Sequence, residues 1–158
     1  MHDLTAVEQW QELQRGEVSP TDLVTHYLDR IDRLNDGLGA FVTVTRSAAL
    51  ERAAHVETSV SRTAPLWGLP FGDKDLWLRA GVPAGMGSRL FAGYVPDHSD
   101  EIVETMDAAG GVSVGKTNAP EFGLPAYTES LAAPPARNPW DRSRGAGGCH
   151  SRRHRRRG

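Results

Sequence analysis

Cysteine is almost absent from this chain. Cys149 stands alone among 158 residues, which excludes an internal disulfide framework and suits a reducing, cytoplasmic compartment. No apolar run approaches the ~18 residues that span a bilayer, so no membrane partner is expected. The N-terminus (Met1, His2, Asp3) is acidic and leads straight into an amphipathic pattern, so no signal peptide is read there. The histidines at 2, 26, 55, 98, 150 and 154 show no zinc-like grouping, and neither a metal nor a cofactor is expected. Internal repeats are lacking. Acid is missing from one end: residues 142–158 hold Arg142, Arg144, Arg152, Arg153, Arg155, Arg156 and Arg157 and no Asp or Glu. The formal net charge of −2 therefore hides an acidic body, because residues 1–141 carry 11 basic and 20 acidic side chains.

What is present is enough for a core. The hydrophobic fraction is 39%, and the length is about one domain's worth. Leu4, Val7, Trp10 and Leu13 form a short helical pattern closed near Gly16. Ser19 reads as an N-cap, with Pro20 at the first helical position and Asp22 three residues on, as in a capping box. Leu23, Val24, Tyr27, Leu28, Ile31 and Leu34 continue at helical spacing, and Gly37 is expected to end them. Residues 41–45 are β-rich. Ala49, Leu50, Ala53 and Val56 predict a third helix, and 58–67 a loop. Leu69 to Leu78 reads as a strand entering an irregular segment. Residues 80–99, with glycines at 81, 85, 87 and 93, read as a long loop. Ile102, Val103, Met106 and Ala109 predict a helix stopped at Gly110 and Gly111. Val112 to Val114 is a short strand that the chain leaves at Gly115. Helices alternating with short strands indicate an α/β layered fold. The division expected is a body over 1–141 and an Arg-rich disordered tail over 142–158.

Two motifs invite chemistry. Residues 110–117 match the phosphate-loop pattern G-x-x-x-x-G-K-T. That mechanism needs a strand before the first glycine and a helix at the lysine. Here a helix precedes Gly110 and the strand lies inside the pattern, so nucleotide binding is disfavoured. The second motif is Gly68 to Asp75, GLPFGDKD, which places Lys74 between Asp73 and Asp75. Composition alone favours a surface lysine paired with one of those aspartates. A lysine acts as a base only when its ordinary pKa of about 10.4 falls by several units, as burial can achieve. Side chains alternate along a strand, which is compatible with an inward Lys74 and outward Asp73 and Asp75.

Several collinear stretches resemble the amidase signature family: Gly68 to Asp75, Gly87 and Ser88, Asp107 to Asn118, Pro120 to Phe122, Thr128 to Ser130, and Arg137 to Asp141. The opening helices, Ser19 to Val24 and Ile31 to Asn35, are also similar. The resemblance runs from about residue 3 to residue 141. It implies the N-terminal part of an α/β/α amidase-signature fold with a mixed sheet, incomplete in this chain. It also implies hydrolysis of a carboxylic amide to acid plus ammonia or amine by a Ser–cis-Ser–Lys triad. Lys74 matches the triad lysine. The lysine deprotonates the bridging serine, which activates the nucleophilic serine. Water then cleaves the acyl-enzyme. Backbone N–H groups of a Gly-rich segment hold the oxyanion.

The chain departs from the family after Asp141. The family carries a Gly/Ser-rich stretch there, which supplies the bridging serine. This sequence reads Gly145, Ala146, Gly147, Gly148, Cys149, His150, Ser151 and then arginines. No catalytic role transfers to Cys149 or Ser151. Glycine and alanine codons such as GGC and GCG read as arginine one base out of frame, so a frameshift is one account of this tail. The expectation is an inactive chain whose parent acts on a small-molecule amide. A fragment of the A-type component of a tRNA-dependent amidotransferase is the alternative within the family. A binding module using the basic tail on nucleic acid is the alternative outside it, disfavoured because no aromatics interleave the arginines. The loop over 80–99 and Thr128 to Ser130 are the segments placed to line a site.

Overall fold

Thr5 opens the first helix. Its hydroxyl accepts from the Glu8 backbone N–H at 3.3 Å, and the Glu8 carboxylate accepts from the Thr5 backbone N–H at 2.7 Å. These reciprocal bonds satisfy two of the N–H groups that a helix start leaves free. The computed structural model describes residues 1–146. In chain order it contains α1 (Ala6–Arg15), α2 (Pro20–Leu38), β1 (Phe41–Val44), α3 (Arg46–Ser59), β2 (Pro70–Lys74), α4 (Glu101–Ala108) and β3 (Val112–Thr117). Short 3₁₀ turns lie at Arg89–Phe91 and Glu121–Gly123.

Ser19 caps α2 as its position predicts, accepting from the Asp22 N–H at 3.0 Å. The return bond runs from the Ser19 hydroxyl to the Asp22 carboxylate, at 2.7 Å. Gly37 does not end this helix. The chain stays helical through Leu38 and turns at Gly39, which takes φ 56°. The left-handed turn costs glycine no Cβ clash, and the Gly39 N–H bonds the Asn35 carbonyl at 2.7 Å.

The sheet is mixed, with strand order β1-β3-β2. β1 runs antiparallel and β2 parallel to the central β3. β3 is longer than its apolar letters suggest, running on through Gly115, Lys116 and Thr117. β2 is shorter, because the expected strand to Leu78 turns at Lys74: its carbonyl accepts from the Trp77 N–H at 2.9 Å.

Pairing between β2 and β3 slips once. Phe71 faces Ser113 and Asp73 faces Lys116, so β3 spends one more residue than β2 between those pairs. The extra residue is a bulge, and Gly115 makes it possible with φ 147°. A Cβ there would stand 2.2 Å from the Thr43 carbonyl oxygen. A one-residue insertion reverses which face later side chains occupy. Val112 and Val114 join the core, whereas Lys116 turns toward the aspartate side of β2.

The core joins Leu13, Leu23, Val24, Leu28, Ala49, Ala53 and Val56 from the first three helices to Val112 and Val114. Each fully buried leucine contributes about 1.5–3 kcal/mol relative to exposure. Trp67 completes the core from the segment expected to be loop. It is wholly buried, and its indole N–H donates to the carbonyls of Val56 and Val60 at 3.2 and 3.1 Å. The segment after α3 is thus a set of turns carrying a core aromatic.

Gly145 pairs with Arg137 in an antiparallel bridge, and the Ala146 N–H bonds the Ala136 carbonyl at 2.8 Å. The remainder of the Arg-rich segment, with Gly147, Gly148, Cys149 and Ser151, lies outside the described residues. No helix among the described residues is long and apolar enough to cross a membrane.

Candidate functional site

β2 delivers Lys74 to the end of the sheet, and β3 delivers Asn118 beside it. Lys74 faces Thr117 in the parallel register. Backbone bonds surround the pair: the Asp75 N–H donates to the Thr117 carbonyl at 3.0 Å, and the Thr117 hydroxyl donates to the Asp73 carbonyl at 3.2 Å. Lys74 is half-buried, and its Nζ donates to the Asn118 carbonyl at 3.4 Å. No hydroxyl among the described residues is bonded to that Nζ.

The aspartates on either side are not outward. Asp73 is wholly buried and Asp75 is 3% exposed. The alternation along the strand holds, but both faces are covered. Cations and donors supply the reason. The Arg79 guanidinium forks onto Asp73 at 2.5 and 3.3 Å and onto Asp107 at 2.7 and 3.1 Å. The Ser113 hydroxyl donates to Asp73 at 2.8 Å. Burial works against the Arg79 charge, yet its bonds to Asp107 and Asp73 outweigh that and hold its pKa above the ordinary value.

Asp75 accepts from the Gly85 N–H at 3.2 Å and lies 4.0 Å from the Lys116 Nζ. Burial raises the Asp75 pKa against the opposing pull of the Gly85 N–H and Lys116. Lys116 is wholly buried and donates to the Trp77 carbonyl. Burial lowers its pKa, although Asp75 and Asp73 pull the other way. The lysine of the phosphate-loop pattern therefore points into the protein, consistent with the reversed order of elements around it.

A cleft of about 320 Å³ opens beside Asp75 and Asn118. The loop expected over 80–99 supplies much of its wall through Pro83 to Gly93, and Leu131 to Ala133 supply another side. Thr128 to Ser130 are not part of that wall. Gly87 lets the wall form, since at φ 64° a Cβ would meet the Ala119 carbonyl oxygen at 2.5 Å. Ser88 donates to Glu121 at 2.7 Å, joining the loop to the segment after β3.

Asn118 closes the matching stretch Asp107 to Asn118, but motif reading gave it no role. Its side-chain N–H groups donate to the Gly39 and Pro134 carbonyls at 3.0 and 2.8 Å, while its Oδ1 is buried without a partner among the described residues. Its place directly after β3 was the available signal. No group of three or more His, Cys, Asp or Glu that could hold a metal ion occurs among the described residues.

The fold is thus a mixed α/β layer with a half-buried lysine at a strand end, next in the chain to Asp75 of the cleft wall. Residues 22–151 match the family described as Amidase, and the chain belongs to that family. It is 40% identical over 138 residues to the A component of the glutamyl-tRNA(Gln) amidotransferase of Aromatoleum aromaticum, covering 86% of this chain and 28% of that protein. It is 39% identical over 150 residues to the same component in Desulforapulum autotrophicum, covering 94% and 31%. Among solved structures, it superimposes on a bacterial aryl acylamidase of the amidase signature family with a TM-score of 0.82. The identity is 26%, over 92% of this chain and 31% of that one. The corresponding amidotransferase component of Thermotoga maritima gives a TM-score of 0.73 at 33% identity, over 91% and 29%. The chain thus spans less than a third of the length of these relatives.

Proposed function

We propose that this chain carries the base of an amide-hydrolysing site, with Lys74 in that role. The supporting observation is the seat of Lys74. It is half-buried at the end of β2, with its Nζ against the carbonyl of Asn118; Asn118 and Asp75 line the cleft, and Lys74 itself does not. In the reaction, Lys74 takes the proton of a bridging serine, and that serine takes the proton of the nucleophilic serine. The nucleophile attacks the amide carbonyl carbon, the C–N bond breaks, and the amine leaves with a proton. Water then cleaves the ester, returning the acid and the free serine. Neither serine is assigned within the described residues, so the chain by itself is expected to be inactive.

The test is a fusion of residues 1–141 to the remaining part of an amidase relative. The fusion should hydrolyse a simple aliphatic or aryl amide, and the purified 158-residue chain should not. Turnover by the purified chain, lost on Lys74→Ala, would overturn the claim that the chain is inactive.

A second reading, a component of a tRNA-dependent amidotransferase, has a specific support in the identities to the glutamyl-tRNA(Gln) amidotransferase proteins. It predicts that the same fusion releases ammonia from glutamine. Hydrolysis of simple amides without glutamine-derived ammonia would oppose it.

A further inference from the structure

Lys116 is wholly buried, in a motif whose order of elements disfavours phosphate binding. Four charged groups face it: Asp73 of β2, Asp75 and Arg79 from the segment that follows, and Asp100 at the start of α4. Its own bonds go to the chain just past Lys74. Nζ donates to the Trp77 carbonyl and lies 4.0 Å from Asp75 Oδ1. Residues 74–77 form a tight turn, closed by the Trp77 N–H on the Lys74 carbonyl at 2.9 Å. Lys116 therefore fastens the far end of the turn whose near end is Lys74. The bulge at Gly115 is what aims Lys116 there, since without it the side chain would lie on the valine face of β3.

We propose that Lys116 is a positioning residue for Lys74. As a buried ammonium it ties the Trp77 carbonyl and the Asp75 carboxylate to β3, and so sets where the Lys74 Nζ meets the Asn118 carbonyl. The inference rests on the reading of Lys74 as the base. It explains why a lysine occupies an interior site at all. A buried cation is costly unless it is paired and hydrogen-bonded, and the partners it finds here are those of the turn.

The sequence makes this directly observable, because the chain's lysines are Lys74 and Lys116 alone. In the 158-residue chain labelled with ¹³C-lysine, a held Lys74 gives two separate ε-proton resonances, and a free one gives a single averaged resonance. Lys74→Arg assigns the signals. The split should persist in wild type and in Lys116→Arg, and collapse in Lys116→Met. The methyl signals of Val112 and Val114, in the core on the other face of β3, should stay in place. The double variant Lys116→Met/Asp75→Asn removes both buried charges together, and it is read instead if the single variant does not melt cooperatively. A split that survives in the folded methionine variant overturns the proposal, as does a collapse in the arginine variant. The splitting does not depend on catalysis. A Lys74 that is no base would show as unchanged activity on Lys74→Ala in the fusion, leaving the splitting as it was.

Discussion

Charge burial around β2 is the residue-scale feature with the largest energetic consequence. Asp73 is covered on all sides and depends on Arg79 and Ser113 for its compensation. Removing one partner of a buried ion pair costs about 3–5 kcal/mol, because the other charge is left unpaired. Arg79→Ala should therefore lower stability in urea by that amount, and Arg79→Lys by less. Lys116 provides a pH signature of opposite origin. Its folded pKa lies below the unfolded value of 10.5 because of burial. The native state thus releases this proton first, and the unfolded state binds more protons through that window. Stability contributed by this site must rise as pH increases through the folded pKa toward 10.5. Urea titrations from pH 7 upward should show wild type gaining on Lys116→Met over that range; a constant difference would refute the shift. Little of this was legible beforehand. The sequence shows that Lys74 lies between two carboxylates, but the compensating cations, Arg79 for Asp73 and Lys116 for Asp75, lie six or more residues from them. Only the fold brings them together.

The elements were more readable where a local rule decides. Ser19 and Pro20 begin α2, and Gly16 closes α1 in the left-handed conformation at φ 75°, as local chemistry requires. Thr5 and Glu8 carry the spacing of a capping box too, although only the apolar pattern of α1 was read from the sequence. Thr5→Ala should cost about 1 kcal/mol in equilibrium unfolding, and a change indistinguishable from zero would mean that α1 frays in solution. The ends of β2 and β3 were not legible, because pairing sets them rather than propensity. The bulge is a product of two strands meeting out of step, and Gly115 alone does not announce it. It nevertheless yields a sharp expectation. Gly115→Ala places a methyl group 2.2 Å from the Thr43 oxygen, and strain of this kind costs about 1–3 kcal/mol. Thermal unfolding should register the loss, and hydrogen exchange should localise it to β1 and β3.

For the described molecule as a whole, several large apolar side chains stay exposed. Leu90, Leu124, Leu131 and Trp140 are each at least 79% exposed, and Leu131 lines the cleft. Exposed large apolar side chains of this kind favour self-association. Substituting Leu124, Leu131 and Trp140 with aspartate should raise solubility and reduce self-association in light scattering, with the melting temperature unchanged. Equal association in wild type and variant would show that these residues are not responsible. Family membership was legible at this scale because it rests on collinear motifs, which survive where individual strand ends do not.

Lys74 as a base is the central claim, and one comparison tests it most directly. Residues 1–141, fused to the remainder of an amidase relative, are assayed with Lys74 and with Lys74→Ala. General-base catalysis contributes about 10²–10⁴-fold. The account predicts a fall in kcat of that size, with KM little changed and cooperative melting retained. A Lys74→Ala fusion that keeps its kcat would contradict it.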